Sequence, residues 1–479
     1  MIIFVGFGVW RYRAKWASTI EISKETQDVH ISKLYQKLYV DHCYRIVELF
    51  VCKEGSNIII DFVIYIGIMI KNYAALANTV KIEDITSNQL NREILYKLKN
   101  NDESFNELWI CIGGKGFGTD DYDDHHQHYV PSGIEDELGW LGYFIGNNTM
   151  LQTLHFCESQ NYLQDEFFWG MNRNRSISTL IISTFNLVED GEIFYLLGPF
   201  VKNNYNLNMI KIEDCEFGNV SIRLLSSAIS SCNRSLTSFS LSSNDLDYHS
   251  AVDIIAALGV HPQLEQLDLS YMDVGITECT ALSTLLCSTT NNLQELNLSG
   301  NNVDDECIGI LKQTICCSEL EELNLGSNQL ITIRGWKKLS TLLEMPGCSL
   351  KKLSIDHGSI DDDGALSFVT ALANNNKLQK LNLGSSRSIT IKGWKTVASL
   401  LEMPKCNFKE LYVHHNSTIG DDGALLFANA LKNNFTLKTL SLYGCGITPE
   451  GWAPFSKLLC DTSSVNKTYL SNHTLCDLQ

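Results

Sequence analysis

The densest run of chemistry-bearing side chains is Asp120, Asp121, Asp123, Asp124, His125, His126 and His128. Carboxylates and imidazoles are divalent-metal ligands by type. A metal site also needs fixed geometry and a supporting hydrogen-bond shell. This run instead follows Gly113, Gly114, Gly116 and Gly118, in a segment that is Gly-rich, then acidic, then His-rich. It reads as a solvated loop that holds no metal. The glycine run carries Lys115 but matches neither G-x-x-x-x-G-K-[ST] nor G-x-G-x-x-G, and no phosphate loop occurs elsewhere. There is no G-x-S-x-G turn and no H-E-x-x-H pair. His155, His414 and His415 do not all fall on one copy of the repeat described below and suggest no triad. No catalytic residue, cofactor or metal is expected, and the chain is read as non-enzymatic.

The 16 cysteines include no C-x-x-C pair, so a structural zinc site has little support. Cys279, Cys287, Cys307 and Cys316 sit where a small apolar residue would serve, which reads as free buried thiols in a reducing compartment. The N-terminal MIIFVGFGVW is followed by its positive charges rather than preceded by them, unlike a secretory signal. Without export, the N-x-S/T sequons at Asn147, Asn174, Asn297 and Asn466 carry no meaning. The apolar stretch Ile58 to Ile70 would span only ~20 Å as a helix, short of the ~30 Å hydrocarbon layer. Cys476-Asp477-Leu478-Gln479 matches C-a-a-X without a preceding basic cluster, and is taken as coincidence. A cytoplasmic location is expected, with the nucleus as an alternative and no membrane association.

Such side chains gain meaning only from the elements that position them, and here those elements repeat. From residue 105 onward the pattern apolar-x-x-apolar-x-apolar recurs. Clear copies begin at Leu264, Leu293, Leu320, Leu350, Leu378, Phe408 and Leu437, and weaker ones at Phe105, Leu151, Ile177, Leu207 and Leu236. A degenerate copy, VNKTYL, starts at Val465. Three residues after the last apolar position stands Cys215, Asn244, Asn301, Asn328, Asn416 or Cys445, while Met272, Gly358 and Ser386 depart. An asparagine there offers both amide faces to backbone groups where the chain leaves the strand. A helix-period segment follows each strand. Gly-Trp pairs at 335, 393 and 451 alternate with a Gly-Ala type, so Trp336, Trp394 and Trp452 align with Ala365 and Ala424. That alignment predicts helix-to-strand packing. The acidic steps Asp304-Asp305-Glu306, Asp361-Asp362-Asp363 and Asp421-Asp422 predict capping of helix N-termini.

This is the leucine-rich repeat signature, L-x-x-L-x-L-x-x-N/C-x-L. The unit length of 28–29 residues and the two alternating repeat types resemble the ribonuclease-inhibitor-like class, which includes the cytosolic ribonuclease inhibitor, the Ran GTPase-activating protein and the sensor ends of NOD-like receptors. The resemblance covers residues 105–479. It implies an α/β solenoid, a horseshoe of about 12–13 repeats with a parallel sheet on the concave face and helices outside. Residues 87–104 read as a helical N-terminal cap, with Ser87 capping and Leu90, Ile94, Leu95 and Leu98 on one face. Residues 1–86 match no recognisable domain, and residues 113–130 are an insert.

What remains is a surface. With the leucines inward, the third, fifth and seventh positions face the concave side. A sheet of thirteen strands at ~4.8 Å spacing offers an arc of roughly 60 Å, enough for a protein partner. Its C-terminal end carries Tyr412, His414, Tyr443 and Tyr469, and its N-terminal end Trp109, Cys111 and His155. The middle carries Asp268, Glu295, Asn297, Glu322, Asn324 and Asp356, with Glu410 beside Tyr412. Tyrosines on a rigid sheet supply contact area at low entropy cost. The net charge of −18 disfavours nucleic acid and suits a basic protein partner. The expectation is a monomeric interaction scaffold. The alternatives are a GTPase regulator resembling the Ran activator, or a membrane-tethered receptor using Ile58–Ile70 or Cys476.

Overall fold

A computed structural model describes residues 73–479 except 112–127, 133–135, 160–164, 188–191, 233–234, 247–249, 289–291 and 404–406. The apolar stretch at 58–70, the glycine run and Asp120 through His126 lie outside the described residues. Residues 76–479 are the second of two units into which the chain divides. Among the described residues the second unit is a 15-stranded, all-parallel sheet whose main path follows chain order except at its first two strands. Its first strands are β1 (Glu107–Cys111), β2 (His128–Tyr129), β3 (Thr153–Ser159) and β4 (Thr179–Leu187). Strand β2 lies outside β1 at the N-terminal edge, and Asp477–Leu478 closes the other edge. One short strand, Glu216–Phe217, pairs with β4 off the main path.

The leucine rows produce this order. Leu264, Leu267 and Leu269 are fully buried, as are Leu293, Leu296 and Leu298, and the pattern recurs to Leu437, Leu440 and Leu442. Each copy buries its leucines against its neighbours, so register is fixed by the period: Leu267 faces Leu296, which faces Leu323, which faces Leu353. Strands in the later copies are only three residues long. They stop because a left-handed residue follows, as at Ser327, His357, Ser385 and His415 with φ of 54–59°.

The asparagine after that turn carries the repeat. Asn328 Nδ2 donates to Leu325 O and, across the repeat boundary, to Leu298 O, both at 2.9 Å. Its Oδ1 accepts from Val303 N. Asn244 and Asn301 bond in the same manner. Where cysteine stands instead, Cys445 Sγ reaches Val413 O at 3.1 Å. A second ladder, which the repeat consensus does not announce, runs behind the helices. Asn174 Nδ2 donates to Ile145 O and Asn148 O while its Oδ1 accepts from Ser176 N and Ile177 N. Asn434 and Asn472 do the same at the other end. Asn174 is therefore fully buried, which excludes its sequon from modification in the folded chain.

Several expectations need correction. The terminal copy does not begin at Val465. Val465–Tyr469 is a helix, and the last strand is Asp477–Leu478, with Leu478 pairing with Leu440 and Leu475 buried ahead of it. VNKTYL mimics the apolar spacing, but Asn472 takes the ladder position, accepting from Leu475 N, five residues before that strand starts at Asp477. The cap helix is Gln89–Asn100, and Asn88 rather than Ser87 caps it, accepting from Leu90 N and Asn91 N. Leu90 is exposed and Asn91 takes its place on the buried face, because Asn91 Nδ2 bonds Val130 O and Glu137. The segment taken as an insert to residue 130 ends in β2, with Tyr129 buried and donating to Glu137 at 2.9 Å. Cys279 and Cys307 are buried, whereas Cys287 is exposed and Cys316 half-buried. Trp336 and Trp394 are fully buried, but Trp452, in the last long helix, is only half-buried. Gln479 bonds Leu440 and Leu442 through its backbone, so the C-a-a-X residues are part of the sheet. Among the described residues no helix is long and apolar enough to cross a membrane.

Candidate protein-binding surface

The third and fifth positions alternate with the buried leucines along each strand, and their rows can be followed across the sheet. One row runs Gln266, Glu295, Glu322, Lys352, Lys380, Glu410, Thr439 and Asp477. The next runs Asp268, Asn297, Asn324, Ser354, Asn382, Tyr412 and Ser441. The acidic strip expected from sequence is thus interrupted by two lysines. Lys352 pairs with Glu322 at 2.7 Å, and this partner holds the ammonium above its ordinary pKa. Lys380 pairs with Glu410 at 3.6 Å and lies 5.0 Å from the Tyr412 ring centre. The strip is mixed in sign at its centre.

Its asparagines and Asp268 are occupied locally. Asp268 accepts from Ser270 N at 2.9 Å and from the Ser270 hydroxyl at 2.7 Å. Asn297 and Asn324 accept from the N–H two residues on, at 3.1 and 3.0 Å. These side chains shape the strand exits as Asx turns. Asp356 accepts from the Ser354 hydroxyl at 2.6 Å, and Glu295 from Gln266 at 3.0 Å.

The C-terminal end gathers rings. Tyr412 and His414 stand on one copy, with ring centres 6.5 Å apart. His415, in the left-handed turn, lies 5.5 Å from His414 and 5.2 Å from Tyr443. The contacts are edge-on, the geometry aromatic quadrupoles favour. Tyr443 is 66% exposed. Burial lowers the His414 pKa, with His415 adding to the effect. Burial raises the Tyr412 pKa, and the Glu410 carboxylate that accepts its hydroxyl adds to it. Glycine makes room for the cluster: a Cβ on Gly384 would stand 2.4 Å from the His414 ring, and one on Gly444 2.5 Å from His415. Tyr469, expected here, is not part of the cluster. It lies on the terminal helix and is 79% exposed. His415 and Lys380 were missed from sequence, although Lys380 occupies a third position of the pattern.

The N-terminal end is a second aromatic and sulfur group. Trp109 contacts His155 at 3.8 Å between ring centres and His128 at 5.4 Å. His155 Nε2 lies 2.7 Å from the Ser183 hydroxyl. Cys111 and Cys157, directly opposite on β1 and β3, are paired as a disulfide with Cα atoms 4.9 Å apart. This departs from the expectation of free thiols, since the parallel register puts two cysteines distant in sequence side by side.

Comparison with known proteins agrees with this architecture. The family model for leucine-rich repeats matches residues 290–306 and 433–456. The chain is 24% identical over 305 residues to mouse NACHT, LRR and PYD domains-containing protein 14, covering 58% of this chain and 30% of that protein. It is 30% identical over 278 residues to human NACHT, LRR and PYD domains-containing protein 3, covering 55% of this chain and 26% of that one. The chain thus spans between a quarter and a third of the length of these curated relatives. Among solved structures, the yeast Rad7–Elc1 complex aligns with a TM-score of 0.48 at 16% identity, over 90% of this chain and 96% of that one. Leucine rows, an asparagine at the strand exit bridging adjacent units, and a matching family model together give this chain the leucine-rich repeat fold.

Proposed function

We propose that the chain is a non-enzymatic scaffold that binds a protein partner on its concave face, chiefly through Tyr412, His414, His415 and Tyr443. The observation that carries this reading is the aromatic cluster, presented beside an exposed Tyr443 on a rigid parallel sheet. Interface hot spots favour such residues, because they exclude water from a large area while freezing few torsions. Glu295, Asp356 and Asp268 add negative potential along the arc, which with the net charge of −18 favours a partner bearing basic side chains. Glu322 and Glu410, already paired with lysines, tune this field less, while Asn297 and Asn324 shape the surface. A monomeric protein acting in the cytoplasm or nucleus belongs to the same reading, as does the ribonuclease-inhibitor-like subclass.

The test compares proteins captured by the full chain with those captured by Tyr412→Ala/Tyr443→Ala, and by a helix-side control, Leu366→Ser. Capture lost in the double variant and retained in the control supports the concave end. Equal capture by all three overturns it.

A further inference from the structure

Three metal-ligand side chains from three strands converge at the N-terminal end of the concave face. Cys111 ends β1, His128 opens β2 and Cys157 lies on β3 opposite Cys111. One ligand atom from each lies within 4.8 Å of the other two. Cys111 Sγ is 3.4 Å from His128 Nδ1. A tetrahedral zinc holding a thiolate at about 2.3 Å and an imidazole at about 2.05 Å sets those atoms about 3.6 Å apart. Two thiolates on one zinc stand about 3.8 Å apart. Side chains rooted on Cα atoms 4.9 Å apart reach that separation by a χ1 adjustment. Cys111 and His128 are half-exposed and Cys157 beside them is buried. Trp109 walls the site against His128.

We propose that Cys111, His128 and Cys157, once reduced, bind one Zn²⁺ through two thiolates and a neutral imidazole, with water in the fourth position. Two sulfurs and a nitrogen select zinc over magnesium and calcium, which seek oxygen. The disulfide is the competing state, because sulfurs bonded at about 2.05 Å cannot both hold one ion. Passage between the states balances. Two molecules of a thiol reductant give two electrons and two protons to the protein sulfurs and leave joined as their own disulfide. Zinc binding then displaces one proton from each protein thiol. The site is a redox-gated zinc site, independent of the aromatic end proposed above.

The test uses the full chain, reduced with a phosphine that does not ligate zinc and then desalted. Zinc chloride is titrated against a chromophoric chelator, with Co²⁺ as the spectroscopic probe. One ion per chain is expected, with thiolate-to-cobalt charge transfer in the near ultraviolet. Cys111→Ser, Cys157→Ser and His128→Gln should each weaken zinc at least ~100-fold. Circular dichroism checks folding. Cys111 and His128 are half-exposed, so those two variants carry the test if Cys157→Ser does not fold. The proposal fails if the reduced wild type takes up no zinc. It also fails if folded variants bind zinc as the wild type does, which would place the ion on other cysteines.

Discussion

At the scale of single residues, the buried amide of Asn328 shows how much one side chain can hold. It bonds two copies at once and is inaccessible to water. Removing it strands two carbonyls and an N–H in the interior, each a desolvation cost of about 1–3 kcal/mol. Asn328→Ala should lower the urea midpoint by an amount equivalent to about 2–4 kcal/mol, whereas the exposed Asn302→Ala should leave it unchanged. Burial also governs the thiols. It pushes Cys215 up to about 12, so alkylation at neutral pH should label Cys287, Cys317, Cys460 and Cys476 first and Cys215 only on unfolding. Mass spectrometry of partly labelled protein reads this order. The residue types at these positions were legible in the consensus. Their second bond, across the repeat boundary, was not, because it depends on how closely successive copies stack.

At the scale of elements, the acidic steps do more than cap their own helices. Asp304 accepts from Glu306 N and Cys307 N in the expected way. Asp362 instead reaches the next repeat, accepting from Thr390 N at 2.8 Å and the Thr390 hydroxyl at 2.6 Å. Asp305 and Asp421 bind Thr332 and Thr448 alike. This explains the Gly-Trp pairs. A Cβ on Gly335, Gly393 or Gly451 would stand 2.1–2.4 Å from those carboxylates. The two alternating repeat types are therefore two halves of one lock. Gly393→Ala should destabilise by about 1–3 kcal/mol, and the double variant Gly393→Ala/Asp362→Ala should cost less than the two singles combined, as denaturant titration of the cycle would show. Partial burial pushes the Asp362 carboxyl up, but bonds from Thr390 and Gly393 outweigh it and hold the pKa below its ordinary value. The folded state then binds fewer protons than the unfolded one. The stability this carboxylate contributes is complete above pH ~4 and drains as pH falls through the lower folded value. Asp362→Asn should flatten the acid limb of a stability-versus-pH curve.

At the scale of the whole molecule, charge and shape act together. A chain with net charge −18 would steer the basic partner proposed above, and screening should then slow association as salt rises and the Debye length falls to ~10 Å at 0.1 M. Stopped-flow association at rising ionic strength measures this. A rate independent of salt would mean a neutral partner held by the aromatic end alone.

The sequence by itself determined the fold class and the strand positions of the regular copies, because a 28–29-residue period holds them in one register. Tyr412, His414 and Tyr443 could be placed by counting along that period. Tyr469 could not, since VNKTYL keeps the apolar spacing but lacks the ladder asparagine that Asn472 supplies. Only the tertiary structure brought His415 against Tyr443, Lys352 against Glu322, and Cys111 to Cys157 and His128. Those juxtapositions run across the sheet rather than along the chain. They follow from strand stacking and turn geometry, to which a one-dimensional pattern is blind.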